Sequence, residues 1–463
     1  SSYNAMLING KNDDISAIIN TAINEYNALM YIVGAVVLSA ALCYFLIKFL
    51  AWGTKKYSDY VDTQLVCSTW YPKTKKTQWI TGIGLTVAIG VLGLFFRFGG
   101  AFNYTNSINW ESAARLSSNL LNETILDDVQ ALYRVKSIAK RAEELEVINL
   151  TPQELSEKIS AIGGTFNGKD FDGSFTRTIT TERLPEQPQS INIVLGESYG
   201  LWPFLAEYNE PGAYLVEQGR KYAASPQAMS TQLALAQGTG TMPAINGLLT
   251  GMPDTGLYPN YEGESFKQPY GLGIGSVMKK LGYKTVFWYG GFSTWQNVKN
   301  FALSQGFDEF HDASEMPSEE GNAWGVADKD MFKAISAYMD QHRGEKILNV
   351  IMTTSNHPPY SVNVAKEGYD VNKVKGHLPD TIAETEKQLN EMGHIWYADH
   401  VMGEYIAREE KADPSALFVI TGDHSERFTF AREVGPNVAS TIPIIFYGRG
   451  IHKDWLAPNA FGM

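Results

Sequence analysis

Hydrophobic patterning divides the chain into three regimes. Residues 28–47, ALMYIVGAVVLSAALCYFLI, are twenty positions without a charge, and residues 79–96, WITGIGLTVAIGVLGLFF, are eighteen more. Each is long enough to cross the hydrocarbon core of a bilayer as a helix, and too long for the apolar core of a cleaved signal peptide. From 98 to about 185 the pattern turns polar and helical. Asn109 can cap a helix over residues 110–145, and Thr151-Pro152-Gln153-Glu154 has the threonine, first-turn proline and returning glutamate that open a second one. The glycine-rich GGTFNGKDFDGSF then interrupts the chain.

Beyond about 188 short β-branched runs recur at 190–198, 283–291, 347–357, 416–426 and 441–448, with helical stretches such as 324–343 and 394–412 between them. Near-continuous apolar strands alternating with helices predict an α/β domain, a mostly parallel sheet with helices on both faces.

Charge orients the apolar spans. The segment 48–76 carries Lys48, Lys55, Lys56, Lys73, Lys75 and Lys76 against two acids, whereas the residues before the first span hold one lysine against three acids. The positive-inside rule places 48–76 in the cytoplasm and both flanks outside. The expected organisation is an extracytoplasmic segment over 1–29, two transmembrane helices with a cytoplasmic Lys-rich loop over 30–96, a helical linker over 97–185, and an extracytoplasmic α/β domain over 186–463. Ser1 stands where an initiator methionine is expected, and with an outside N-terminus this points to a piece of a longer protein with earlier spans. The net charge of −12 argues against nucleic acid as a partner. Cys43 and Cys67 are the two cysteines, so the rest of the chain has neither a disulfide scaffold nor a cysteine metal site.

In parallel sheets ligands sit beyond the carboxyl ends of the strands. There the sequence offers Gly196-Glu197-Ser198, Ser355-Asn356-His357 and Gly422-Asp423-His424. Taken singly, an acid at a strand end is more often a helix cap, and a lone histidine more often a packed or surface residue. Converging on one edge, Glu, Asp and His suit a divalent ion of the zinc or manganese type. Between the first two segments, LALAQGTGTMPAINGLLTG (233–251) offers Thr239, Thr241 and Thr250. It is not a Walker A loop, because no Lys-Ser or Lys-Thr follows its last glycine. A threonine hydroxyl is inert alone, but a divalent cation can make it a nucleophile, and a following helix N-terminus favours an anion.

The set GES at 196–198, the glycine-flanked threonine, TSNHPPY at 354–360, YADHVMGEYI at 397–406 and TGDHSERF at 421–428 resembles the lipoteichoic acid synthase branch of the alkaline phosphatase/sulfatase superfamily. The resemblance covers residues 97 to 448, and the two spans accord with it. It implies an alkaline phosphatase-like fold and one divalent ion, Mn²⁺ ahead of Mg²⁺ or Zn²⁺, held by Glu197, Thr241, Asp423 and His424. Thr241 is preferred to Thr239 as nucleophile, since the family's hydroxyl sits just beyond the small-residue turn. The resemblance also implies His357 near the transferred phosphate, as a catalytic and substrate-binding residue, and Trp288 of VFWYGG near the glycerophosphate. Gly290 stands where some synthases carry an arginine. The implied activity is transfer of glycerophosphate from phosphatidylglycerol to a glycerol-phosphate or glycolipid acceptor at the cell membrane, through a phospho-threonine. The family also continues past TIPIIFYGRG with another strand and helix, so C-terminal elements are expected beyond this chain.

Three other readings compete. One is a transferase or hydrolase acting on another lipid head group or a glycan, such as a phosphoethanolamine transferase, although those usually carry disulfides. Another is a sulfatase, whose C/S-x-P-x-R motif here reads Thr241, Pro243 and Ile245; formylglycine cannot be made from threonine. The last is a non-catalytic membrane receptor, against which the intact ligand set counts. His311, His342, His377, His394, His400 and His452 receive the packed or surface reading, with His394 and His400 expected beside the start of their helix.

Overall fold

The computed structural model describes residues 28–60, 74–97, 136, 150–161, 163–166, 168, 172–175, 184, 186–238, 240–252, 254, 258–318, 320–321, 324–378, 384–425 and 440–455. The helix expected over 110–145 and the alternative nucleophile Thr239 lie outside the described residues. The chain divides into two units, Ser1–Ser112 and Ala113–Met463.

The first unit holds α1 (Ala28–Tyr60) and α2 (Lys75–Arg97). Within them residues 33–56 and 75–95 are long and apolar enough to cross a membrane. Their large side chains, such as Phe45 and Trp79, are exposed rather than packed against protein. α1 outruns the uncharged stretch by more than three turns and carries Lys48, Lys55 and Lys56 on a continuous helix.

In the second unit α3 (Pro152–Ala161) begins where the capping box places it. The Thr151 N–H donates to Glu154 Oε2 at 2.9 Å, and the Glu154 N–H donates back to Thr151 Oγ1 at 3.3 Å. These two bonds satisfy donors that a helix start otherwise leaves orphaned.

The sheet comprises β1 (Ser190–Gly196), β2 (Ala228–Leu235), β3 (Lys284–Tyr289), β4 (Glu309–His311), β5 (Ile347–Met352), β6 (Leu417–Gly422) and β7 (Thr441–Gly448). Their spatial order is β2-β7-β6-β1-β5-β3-β4. β7 runs antiparallel to both β6 and β2, and the other described pairs are parallel. The helices are α4 (Asn209–Leu215), α5 (Glu217–Ala223), α6 (Thr241–Thr250), α7 (Ile274–Lys280), α8 (Val298–Ser304), α9 (Asp328–Gln341), α10 (Val364–Glu367) and α11 (Glu386–Ala412).

The strand pleat sends alternate residues into two cores. Ile193, Leu195, Phe287, Tyr289, Leu348 and Val350 pack with Met242, Ile245 and Leu249 of α6 and Phe301 of α8. Val194, Val286, Trp288, Ile347, Ile351 and Phe418 face the other way, toward Leu215 of α4, Met331 and Ile335 of α9 and Ile406 of α11. Burial on both faces explains why the central strands read as nearly unbroken apolar runs. The expected mostly parallel sheet with helices on both faces is what forms.

α11 starts at Glu386, eight residues before the expected 394, with the Thr385 hydroxyl accepting the Gln388 N–H at 3.3 Å. His394 therefore lies inside the helix, not at its start. It is buried, its Nδ1 hydrogen-bonded with the Asn390 carbonyl at 2.8 Å and its Nε2 accepting the Val362 N–H at 3.2 Å. Burial lowers its pKa.

Candidate metal centre and active site

β1 and β6 are neighbours in register, Gly196 opposite Gly422, so Glu197 and Asp423 leave the sheet side by side. No side chain fits at Gly422, because a Cβ there would fall 2.3 Å from the Tyr199 carbonyl oxygen. The turn after β5 braces Glu197 through its backbone. Its N–H donates to Thr353 Oγ1 at 2.9 Å, and its carbonyl accepts Asn356 Nδ2 at 3.1 Å. Thr353 and Asn356 thus serve the site as braces.

Thr241 opens α6 directly after Gly240, whose backbone is extended. Its hydroxyl donates to Glu197 Oε2 at 3.2 Å, placing an oxygen at the positive end of a helix and against a carboxylate. Of the two glycines before it, Gly238 matters sterically: a Cβ there would lie 2.3 Å from Pro243 Cβ, whereas one on Gly240 would meet nothing closer than 3.9 Å.

Glu197, Asp423 and His424 are all buried, and each offers a ligand atom within 4.8 Å of the others'. Among the described residues this is the one group of three or more such side chains with that spacing. His424 Nε2 lies 3.7 Å from Glu197 Oε1 and 3.5 Å from Asp423 Oδ2. Asp423 Oδ2 and His424 Nδ1 are buried without a hydrogen bond. Burial, and next the charge of Glu197, push the Asp423 carboxyl well above the usual carboxylate range; His424, the Ser198 N–H and the Thr241 hydroxyl pull the other way. Two mutually repelling buried carboxylates beside an imidazole, with Asp423 Oδ2 and His424 Nδ1 left without a hydrogen bond, fit a divalent cation, which would supply the missing positive charge. The group could hold a metal ion.

The remaining expected residues are placed less uniformly. His357 is half-buried, its Nδ1 2.5 Å from the Pro358 carbonyl and its ring tilted against Trp324, 4.6 Å between centroids. Trp288 goes elsewhere. It points into the α9–α11 core, away from α6, its indole N–H donating to Asn349 Oδ1 at 3.0 Å and its ring stacked on His311 at 4.4 Å. The structure therefore does not bring Trp288 to the metal-binding group. Nor is there room for an arginine at Gly290, where a Cβ would meet Thr354 Oγ1 at 2.7 Å.

The neighbouring Tyr289 faces the α6 side. Burial first, then Glu197 and Asp423, raise its pKa well above the ordinary value. Its ring lies 5.7 Å from that of Trp295, in a 3₁₀ turn past the end of β3. The next two residues, Gln296 and Asn297, hold positive φ values of 45° and 59°, uncommon for side chains of this kind. A polar chain anchors them: Asn246 of α6 donates to Asn260 Oδ1 at 2.9 Å, Asn260 Nδ2 donates to the Gln296 carbonyl at 2.8 Å, and Asn297 Nδ2 donates to the Asn260 carbonyl at 2.9 Å.

A mostly parallel α/β sheet thus carries a threonine hydroxyl and a buried carboxylate–imidazole group at its carboxyl edge. Residues 193–450 match the protein-family model described as Sulfatase, and the chain belongs to that family. It is an enzyme of the sulfatase superfamily. Solved structures similar to it include an alkaline phosphatase superfamily protein from Vibrio parahaemolyticus (22% identity, 58% of this chain and 62% of that one, TM-score 0.46). Another is the lipoteichoic acid synthase LtaP from Listeria monocytogenes (17% identity, 66% and 73%, TM-score 0.48). A third is the phosphoglycerol transferase GacH from Streptococcus pyogenes in complex with sn-glycerol-1-phosphate (14% identity, 68% and 76%, TM-score 0.42). The chain thus spans less than two thirds of the length of the Vibrio protein.

Proposed function

We propose that the protein is a membrane-anchored phosphoglycerol transferase that moves glycerophosphate from phosphatidylglycerol to a glycerol-phosphate or glycolipid acceptor. The observation that carries this reading is the Thr241 hydroxyl, at a helix N-terminus and 3.2 Å from Glu197 within the Glu197–Asp423–His424 group. A divalent ion bound by Glu197, Asp423, His424 and Thr241, Mn²⁺ ahead of Mg²⁺ or Zn²⁺, would lower the threonine pKa and screen phosphoryl oxygens.

The chain's own residues carry the rest. Glu197 Oε2 accepts the Thr241 proton and so aims the oxygen. The Thr241 oxygen attacks phosphorus in line; the P–O bond to diacylglycerol breaks, and His357 gives the leaving oxygen its proton. An acceptor hydroxyl then attacks the phospho-threonine, its proton passing to His357, while Glu197 returns the first proton to the departing Thr241 oxygen and so restores the hydroxyl. The positive end of α6 favours the anionic group throughout. A sulfatase reading is weakened at the same helix: Ile245, where that motif has its arginine, is fully buried in the apolar core.

Intact-mass measurement of the full chain in detergent, after incubation with phosphatidylglycerol and Mn²⁺, tests the scheme. A glycerophosphate adduct on the wild type that is lost in Thr241→Ala is expected. An adduct that survives this substitution moves the nucleophile to Thr239. An unmodified wild type that also releases no diacylglycerol overturns the donor assignment.

A further inference from the structure

Glu197 and Asp423 come from different strands and repel each other, yet both are gripped by one residue. The Ser198 N–H donates to Asp423 Oδ1 at 2.8 Å, and its hydroxyl donates to Glu197 Oε1 at 2.9 Å. Asp423 Oδ1 also takes the His424 N–H at 2.7 Å, so this oxygen is saturated while Oδ2 is left without a hydrogen bond. On Glu197 the other oxygen, Oε2, receives the Thr241 hydroxyl. Ser198 thus selects which carboxylate oxygen faces inward on one ligand and fixes the rotation of the other.

This grip depends on an unusual backbone. Ser198 is buried at φ 52°, in the left-handed region, where a residue with a Cβ is strained and glycine is not. The turn aims the N–H toward β6 and the side chain back toward Glu197. Its carbonyl is held in turn by the Gly200 N–H at 3.0 Å and Asn356 Nδ2 at 3.5 Å. Glycine would make the turn without strain and keep the N–H. What serine adds is the hydroxyl on Glu197.

We propose that Ser198 is a positioning residue of the metal centre, orienting Glu197 and Asp423 so that their inward oxygens and His424 converge on one cation. The inference rests on reading Glu197, Asp423 and His424 as ion ligands. Hydrogen-bonding partners behind metal ligands commonly set affinity by about 10- to 100-fold.

The test is binding of Mn²⁺ or Zn²⁺ alone to the full chain in detergent, by competition with a chromophoric chelator, together with the melting temperature of the metal-free protein. Ser198→Gly and Ser198→Ala should each weaken binding by about 10- to 100-fold. Metal-free Ser198→Gly should melt at or above the wild-type temperature, since the strain is relieved. A Ser198→Gly protein with wild-type affinity overturns the proposal. So does one whose melting temperature falls together with its affinity, because Ser198 would then serve only the turn. A wild type that binds neither ion overturns the ligand assignment itself, and Glu197→Gln, which should abolish binding, tells these cases apart.

Discussion

Trp288 is fastened into the sheet at both ends of its side chain, by the indole N–H on Asn349 and by the ring on His311. Phenylalanine there would keep an aromatic ring but leave Asn349 Oδ1 without its donor. We expect Trp288→Phe to lose about 1–2 kcal/mol of stability with turnover unchanged, read by thermal denaturation beside a transferase assay. Lost turnover at unchanged stability would return Trp288 to the substrate site. At this scale Glu197, Asp423 and His424 were legible, because each follows a strand whose burial on both faces writes a near-continuous apolar run. The side Trp288 takes was not legible, because the pleat decides which face a strand residue joins, and here it turns the ring into the core with α9 and α11. Ser198 carried no such signal: a backbone φ is not written in a short polar triplet.

Elements tell a parallel story. β2 and β4 were not expected, and they are the two outer strands in the described sheet. β4 has three residues, and β2 mixes polar and apolar positions, so neither shows the unbroken run that marks β5. The early start of α11 could have been read from Thr385 and Gln388, which have capping-box spacing. Asp399 of α11 is fully buried and accepts the Tyr199 hydroxyl at 2.6 Å, the Gly219 N–H at 2.9 Å and the Gln218 N–H at 2.8 Å. It thereby ties α11 to the start of α5 and to the chain just after Glu197. Burial raises its pKa to about 6, against hydrogen bonds that lower it. The folded protein therefore keeps this proton up to about pH 6, while the unfolded chain releases it near 3.8. Between these values the native state binds more protons, so this group's contribution to stability falls as pH rises through 6, by on the order of 3 kcal/mol. Asp399→Asn should flatten that part of the pH–stability curve, measured by denaturant titration from pH 4 to 7. An unchanged slope would mean Asp399 is ionised throughout.

At the scale of the whole molecule, the lysine-rich loop 48–76 and the two apolar helices propose a topology with the catalytic domain outside the membrane. With Cys43 replaced by alanine, Cys67 should react with a membrane-impermeant maleimide only after the cells are permeabilised. A cysteine at the exposed Lys375 should react without permeabilisation. Labelling in the reverse order would invert the assignment.

The adjacency of β1 and β6 also bears on when the centre can exist. Ser198 and Asp423 are 225 residues apart in the chain, yet they share a hydrogen bond. A nascent chain that has completed β5 and the turn after it possesses Glu197, Thr241 and the braces Thr353 and Asn356, but none of the Asp-His pair. The Glu197–Asp423–His424 group closes only when the late strand β6 slots in beside the early strand β1, a contact of very high sequence separation and therefore slow to form. An ion held by that group would then report on completed synthesis and folding, since partly made or misassembled chains present one isolated carboxylate.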